Sequence, residues 1–279
     1  MFRSIKIHRF FLSALTVVLL AFCFCGGTVA AVRQAEKKNG VPLPIVMYHS
    51  ILREARFQGN YTVSPETLES DFAWLQKNGY HTVVVRDLLN YVYGQVPLPE
   101  KPVMITFDDG FYNNYYYAYP IAEKYQAKIV ISPVGYYTDQ YTEGDADHPN
   151  YSYLTWGEIE EMADSGLVEI QNHSYNLHAT KGRYGAQKLR WESAVSYQSV
   201  LRKDLGKMQT EMLEHTGQAP TAFVSPFGAV SKESVPVLKE IGFQASMNCM
   251  KKTNYITNTP ECLFGLGRYI RPAGLSSDS

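Results

Sequence analysis

Pro102-Val103-Met104-Ile105-Thr106-Phe107-Asp108-Asp109-Gly110 opens as an apolar run and closes on two adjacent acids and a glycine. Pro102–Ile105 reads as a buried strand. Burying two carboxylates side by side is costly unless a cation or a proton neutralises them. Such a strand end suggests a metal site or a general base, although Asp-Gly alone also serves ordinary turns. A second apolar run, Leu167–Ile170, leads into His173-Ser174-Tyr175-Asn176-Leu177-His178. Two imidazoles and one carboxylate can hold a divalent metal and leave positions open for water and substrate. The second carboxylate is then free to take a proton from that water. The two motifs together read as a metal-dependent hydrolase.

Working outward, strands and helices alternate. Val41–Tyr48 reads as a first strand ending at His49. Ser64-Pro65 starts a helix that stops at Asn78-Gly79. A strand at 82–85 and a helix at 86–93 precede the acid strand, and a helix over 114–125 and a strand over 128–132 follow it. Residues 136–153 show no periodicity and read as a tyrosine-rich loop. Thr155-Trp156-Gly157-Glu158 has capping-box spacing. A long helix over 191–215, a strand at 222–225, a helix capped by Ser231 and strands at 243–247 and 266–270 complete the pass. This α/β alternation, about seven times over, argues for parallel strands with helices packed outside. His49, Asp108, Asp109, His173 and Pro226–Gly228 all sit just after a strand, on the edge where α/β barrels carry their sites.

The chain has 279 residues, 45% of them hydrophobic, and a formal charge of −1. That suffices for one large domain with its own core. No basic stripe appears, so nucleic acid is not expected as a partner. Nothing in the sequence specifies an oligomeric state. Arg3, Lys6 and Arg9 precede the apolar stretch Phe10–Phe24 and the small residues Gly26–Ala31. Residues 1–31 therefore read as a secretory signal or, alternatively, as a membrane anchor. Either places the domain outside the cytoplasm, secreted or at the cell surface. Cys23 and Cys25 each follow a bulky Phe, which argues against lipidation. Residues 32–43 read as a linker, 44–272 as the catalytic domain and 273–279 as a tail. Cys249 and Cys262 could pair or stay as thiols. Among 21 tyrosines and 3 tryptophans, Tyr136, Tyr137 and Trp156 are candidates for stacking on sugars, with core packing as the alternative.

Thr106–Gly110 together with His173-Ser174…His178 resembles the polysaccharide deacetylases of carbohydrate esterase family 4, the NodB-type domain. The resemblance runs from about Pro44 to Pro272 and implies a distorted (β/α)7 barrel. It implies removal of N-acetyl groups from an N-acetylated glycan with a divalent metal, zinc first, with cobalt or nickel as alternatives. By position, Asp108 would be the base, Asp109, His173 and His178 the metal ligands, and Ser174 would orient the loop. Pro226-Phe227-Gly228 would present the Phe227 N–H to the oxyanion.

This sequence departs from the family pattern in three places. Its histidines are five residues apart, where four is commoner. Val224-Ser225-Pro226-Phe227-Gly228 lacks the family's motif arginine, and Arg268 is the candidate replacement beside Asp108. No histidine follows His215, so the late acid has no counterpart. Tyr48-His49 instead resembles the poly-β-1,6-N-acetylglucosamine branch, with His49 as the acid. An O-acetyl esterase and a non-catalytic glycan-binding domain are the rival readings.

Overall fold

Parallel strands and helices alternate along the chain. The structure is a computed structural model that describes residues 39–144 and 147–278. The expected signal or anchor over 1–31, and the linker as far as residue 38, lie outside those residues. The strands all lie in the unit Val41–Ser279. β1 (Val41–Leu43) and β2 (Ile45–Tyr48) flank Pro44, whose missing N–H interrupts pairing. β3 (Ser50–Ile51) and β4 (Thr62–Val63) pair in parallel. Ser64 caps α1 (Pro65–Lys77), its Oγ accepting from the Thr67 N–H at 3.1 Å, with Pro65 in the first turn. β5 (His81–Thr82), α2 (Val85–Gly94) and β6 (Pro102–Asp109) follow. A π turn over Asn114–Ala118 leads into α3 (Tyr119–Tyr125), then β7 (Ile129–Pro133) and α4 (Gly135–Glu143). Thr155 and Glu158 form a capping box at the start of α5 (Trp156–Asp164). After it come β8 (Val168–Ile170), α6 (Ala194–Thr216), β9 (Ala222–Val224) and α7 (Ser234–Glu240). β10 (Ala245–Met247), β11 (Asn254–Ile256) and β12 (Tyr269–Ile270) complete the order.

One parallel sheet runs β12-β2-β6-β7-β8, with β5 also pairing with β6. β9 and β10 form a second parallel pair. Single parallel bridges, Asn172 with Phe223 and Met247 with Leu266, stand beyond β8 and before β12. β1 pairs antiparallel with β11.

β6 is buried from Pro102 to Asp108 without alternating polarity, as a strand covered on both faces must be. Its side chains still divide by parity. Val103, Ile105 and Phe107 pack with Leu68 and Phe72 of α1, Ala122 of α3 and Ile159 of α5. Met104 faces the opposite way, among Ile45, Val130, Val224 and Ala245. Each fully buried side chain of this kind contributes about 1.5–3 kcal/mol. β2 obeys the same rule. Ile45 lies with Met104 and Tyr48 lies with Phe107, its ring stacked at 5.2 Å.

Several elements differ from the sequence expectation: the strand read at 82–85 is His81–Thr82, with Val85 already in α2, and β3, β4 and β11 are additional. Residues 135–143 are helical, although 136–153 read as loop. Gly135 and Thr138 are buried, Thr142 Oγ1 donates to the Thr138 carbonyl, and the Trp156 N–H donates to Thr142 Oγ1. Tertiary contacts thus replace the missing apolar stripe. α6 starts at Ala194 rather than 191, because Ser193 is its cap and accepts the Ser196 N–H at 3.1 Å. Ser231 does not cap α7. Its Oγ accepts the Lys188 N–H.

A buried polar cluster ties the ends of the fold together. Asp71 of α1 accepts the Tyr48 hydroxyl at 2.7 Å and two bonds from Arg271, just past β12, at 2.8 and 2.9 Å. Both partners of the ion pair are nearly buried. An Asp71→Ala variant leaves the guanidinium without its counter-charge and is expected to lose about 3–5 kcal/mol of stability in urea denaturation.

Candidate metal and acid–base site

Strand parity directs Asp108 to the face of Met104 and would send Asp109 to the other. Asp109 has φ 72°, in the left-handed region, and this turn brings its carboxylate back to the same side. Gly110 follows with φ 73°, and a Cβ there would stand 2.5 Å from that of Pro133, so only glycine fits. Ser174 (φ 74°) and Phe227 (φ 57°) are also left-handed. Three of the six left-handed non-glycine residues among the described residues therefore lie in the three loops of this site. Strained backbone of this kind persists where surrounding contacts over-determine it.

The two acids meet different partners. Asp108 is buried and held by Arg268 through two short bonds, Nη1 to Oδ1 at 2.6 Å and Nη2 to Oδ2 at 2.7 Å. Arg268 is itself 1% exposed, and its Nε donates to the Asn248 carbonyl. Burial alone would raise the Asp108 pKa, but the guanidinium and the His173 side chain bring it below the ordinary value. Asp109 lies instead against the histidines. His173 Nε2 is 3.4 Å and His178 Nε2 3.0 Å from Asp109 Oδ1. Burial opposes this charge too, and the two imidazoles hold the carboxyl far below its usual range.

The donor set fits a divalent cation. The ligand atoms of Asp109, His173 and His178 all lie within 4.8 Å of one another. His173 Nδ1 is 2.8 Å from the Val224 carbonyl, which can only accept, so Nδ1 carries the proton. In the neutral ring Nε2 then presents a lone pair to a carboxylate oxygen. Asp109 Oδ1 is buried and has no hydrogen bond. Acceptors converging on one point are what a cation between them explains, and two nitrogens with one oxygen suit zinc-like metals.

His49 follows β2 with the parity of Ile45 and Met47, so it shares the site face. Its Nδ1 is buried and has no hydrogen-bond partner. Burial lowers its pKa, against the pull of Asp108 and Asp109. His49, Asp108, Asp109, His173, His178, Phe227 and Arg268 all line one cavity of about 710 Å³. Its lining also includes Tyr61, Tyr184 and Lys251, none of which the motifs signal. Tyr61 lies edge-on to His49 at 5.0 Å and Tyr184 stacks on Phe227 at 5.1 Å.

Other expected residues lie elsewhere. Tyr48, adjacent to His49, takes the opposite parity and sits in the core, bonded to Asp71, not in the cavity. Ser174 is fully buried, and its Oγ accepts the Leu177 N–H. Pro226 is buried beneath Phe227, and its carbonyl accepts the Ala229 N–H. Trp156 is buried against His215 with its Nε1 on Asp139, so it is core. Tyr136 and Tyr137 do not line the cavity either, and Tyr137 stacks on Tyr153. Cys249 and Cys262 form no disulfide. Cys249 stands in the cavity wall, 3.9 Å from Arg268 Nη2.

The polysaccharide deacetylase family profile matches residues 95–246, over half of the chain. The chain belongs to the polysaccharide deacetylase family. It is 28% identical over 263 residues to the poly-beta-1,6-N-acetyl-D-glucosamine N-deacetylase of Escherichia coli O157:H7, covering 85% of this chain and 39% of that relative. The chain thus spans well under half the length of the Escherichia coli protein. A Staphylococcus epidermidis protein of the same name is 24% identical, with 75% of this chain and 68% of that one covered. Among solved structures, a de-N-acetylase from Aggregatibacter actinomycetemcomitans superposes with a TM-score of 0.70 at 26% identity, over 86% of this chain and 97% of the other. IcaB from Ammonifex degensii gives 0.67 at 23%, over 84% and 93%. The latter likeness speaks for the fold alone.

Zinc is expected to raise the melting temperature of the wild-type protein by mass action. Asp109→Asn is expected to abolish that rise, as read by differential scanning calorimetry with and without the metal.

Proposed function

We propose that the protein is an exported, metal-dependent deacetylase that hydrolyses N-acetyl groups of an N-acetylglucosamine-containing polysaccharide. One observation carries the reading. An acid held as an anion by a buried arginine stands in the same cavity as an Asp-His-His donor set. A pure binder has no use for Asp108 in that state. The names of the relatives favour a β-1,6-linked glycan. The proposal extends to the fold as one distorted (β/α)7 barrel, since the bridges Asn172–Phe223 and Met247–Leu266 stand at both gaps between the two parallel sets. It extends also to residues 1–31 as signal or anchor, 44–272 as the catalytic domain and a secreted or cell-surface location. Among the described residues no helix is long and apolar enough to cross a membrane.

A divalent cation held by Asp109, His173 and His178, zinc first, would polarise the acetyl carbonyl and acidify water. Asp108 accepts the proton of the attacking water. Both its oxygens are engaged by Arg268, so its remaining lone pairs are fixed in direction. The Phe227 N–H steadies the oxyanion of the tetrahedral intermediate. His49 protonates the departing amine. The cavity walls exclude bulk water and orient the sugar.

Acetate release from β-1,6- and β-1,4-linked N-acetylglucosamine oligomers, with added zinc, tests the reading. Release that is abolished by chelation is expected. No release from either, by a folded and metal-loaded protein, would favour an O-acetyl ester substrate or a non-catalytic binder. His49→Ala is expected to lower kcat by about 10²–10⁴-fold while metal binding persists. Arg268→Met removes the charge that offsets burial of Asp108. The base then stays protonated to higher pH, so the acid limb of the kcat/KM profile is expected to move upward, as read in a pH–rate series.

A further inference from the structure

The five-residue spacing of His173 and His178 gives a loop with four successive backbone donors, and side chains take all four. Asn172 Oδ1 accepts the Ser174 N–H at 2.8 Å, and Ser174 Oγ accepts that of Leu177 at 3.0 Å. The middle two go to a residue far along the chain. Asp204 of α6 accepts the Tyr175 N–H on Oδ1 and the Asn176 N–H on Oδ2, each at 2.9 Å. α6 supports the same loop twice more, since Asn172 Nδ2 donates to the Leu205 carbonyl and to Gln209 Oε1. On its other side the loop is gripped by α4, where the Gly135 and Tyr136 N–H groups donate to the carbonyls of Ser174 and Tyr175.

The carboxylate of Asp204 is kept at some cost. It is partly buried, and burial pushes its pKa up to about 6. Its neighbour Lys207 forms ion pairs with Glu211 at 3.1 Å and Asp139 at 3.6 Å and lies over the Tyr175 ring. The charge of Asp204 is therefore answered chiefly by two backbone dipoles. A side chain of this length with two acceptor oxygens must be a carboxylate. Asparagine has one oxygen, and its NH₂ would face an N–H.

We propose that Asp204 is the positioning residue that sets the distance between His173 and His178, so that both imidazoles reach one cation with Asp109. The bonds to Tyr175 and Asn176 lock the segment between the ligands while Ser174 is held in its left-handed turn. The inference rests on the metal-site reading above and is independent of the substrate. Loss of a group that orients metal ligands costs about ten- to a hundredfold in affinity. A merely structural cap would lower stability and leave that affinity alone.

The test is zinc affinity of the full chain, by competition with a chromophoric chelator, alongside melting of the metal-free protein. Asp204→Asn is expected to raise the dissociation constant about ten- to a hundredfold, and Asp204→Glu, with both oxygens retained, to recover part of the loss. A folded Asp204→Asn protein with wild-type affinity overturns the proposal. If that variant does not fold, hydrogen exchange of the wild-type Tyr175 and Asn176 amides decides. Protection that deepens with zinc supports the proposal, and exchange at the rate of open loop amides overturns it. Wild-type protein that takes up no zinc would remove the metal-site reading and this inference with it. Wild-type zinc affinity kept by Asp204→Asn, in a protein that does bind zinc, removes only the inference.

Discussion

Two carboxylates sit next to each other at the end of one buried strand, and their mutual repulsion organises what surrounds them. Water screens them little, because both side chains are largely buried, and like charges interact strongly in such surroundings. The chain separates them. Asp108 keeps the direction that strand parity gives it and meets Arg268. Asp109 is turned by a left-handed backbone and meets two imidazoles. In the proposed function this division assigns one acid to proton transfer and the other to coordination. The identical side chains acquire different chemistry from their neighbours alone.

The same division extends through the scaffold. Each of the site's three loops holds one non-glycine residue in the left-handed region, Asp109, Ser174 or Phe227, and each departure is stabilised by contacts from elsewhere. Pro133 stands against Gly110, α6 braces the histidine loop, and Phe227 is sandwiched between His178 and Tyr184. The parallel sheet supplies the rigidity that such local strain requires, since its central strands β6 and β7 are buried on both faces.

Much of this was legible in the sequence, for identifiable reasons. The acid strand and the histidine loop announce themselves by composition, and the alternation of apolar runs with capped helices gives the α/β class. Arg268 could be suspected as the partner of Asp108 only because a usual arginine was missing. Asp71, Tyr61 and Asp204 gave no signal, because their partners lie far away in sequence and nothing local requires an acid or a tyrosine there. The helix at 135–143 escaped notice for a related reason. Its tyrosines and polar residues lack an apolar stripe, and its burial comes from Trp156 and the histidine loop. Tyr48 enters the resemblance as one half of the Tyr48-His49 pair, and the two-residue period of a strand puts these neighbours on opposite faces.

The pairing of β12 with β2 joins the last strand of the chain to one of the first. Arg268, the residue immediately before that strand, lies 160 residues beyond the acid it neutralises. During synthesis, both acids and both histidines leave the ribosome long before the guanidinium does. A nascent chain stopped short of residue 268 holds Asp108, Asp109, His173 and His178, yet lacks the guanidinium that pairs with the buried Asp108. During synthesis, then, the cavity can close around a neutralised Asp108 only once the segment that carries Arg268 has been made.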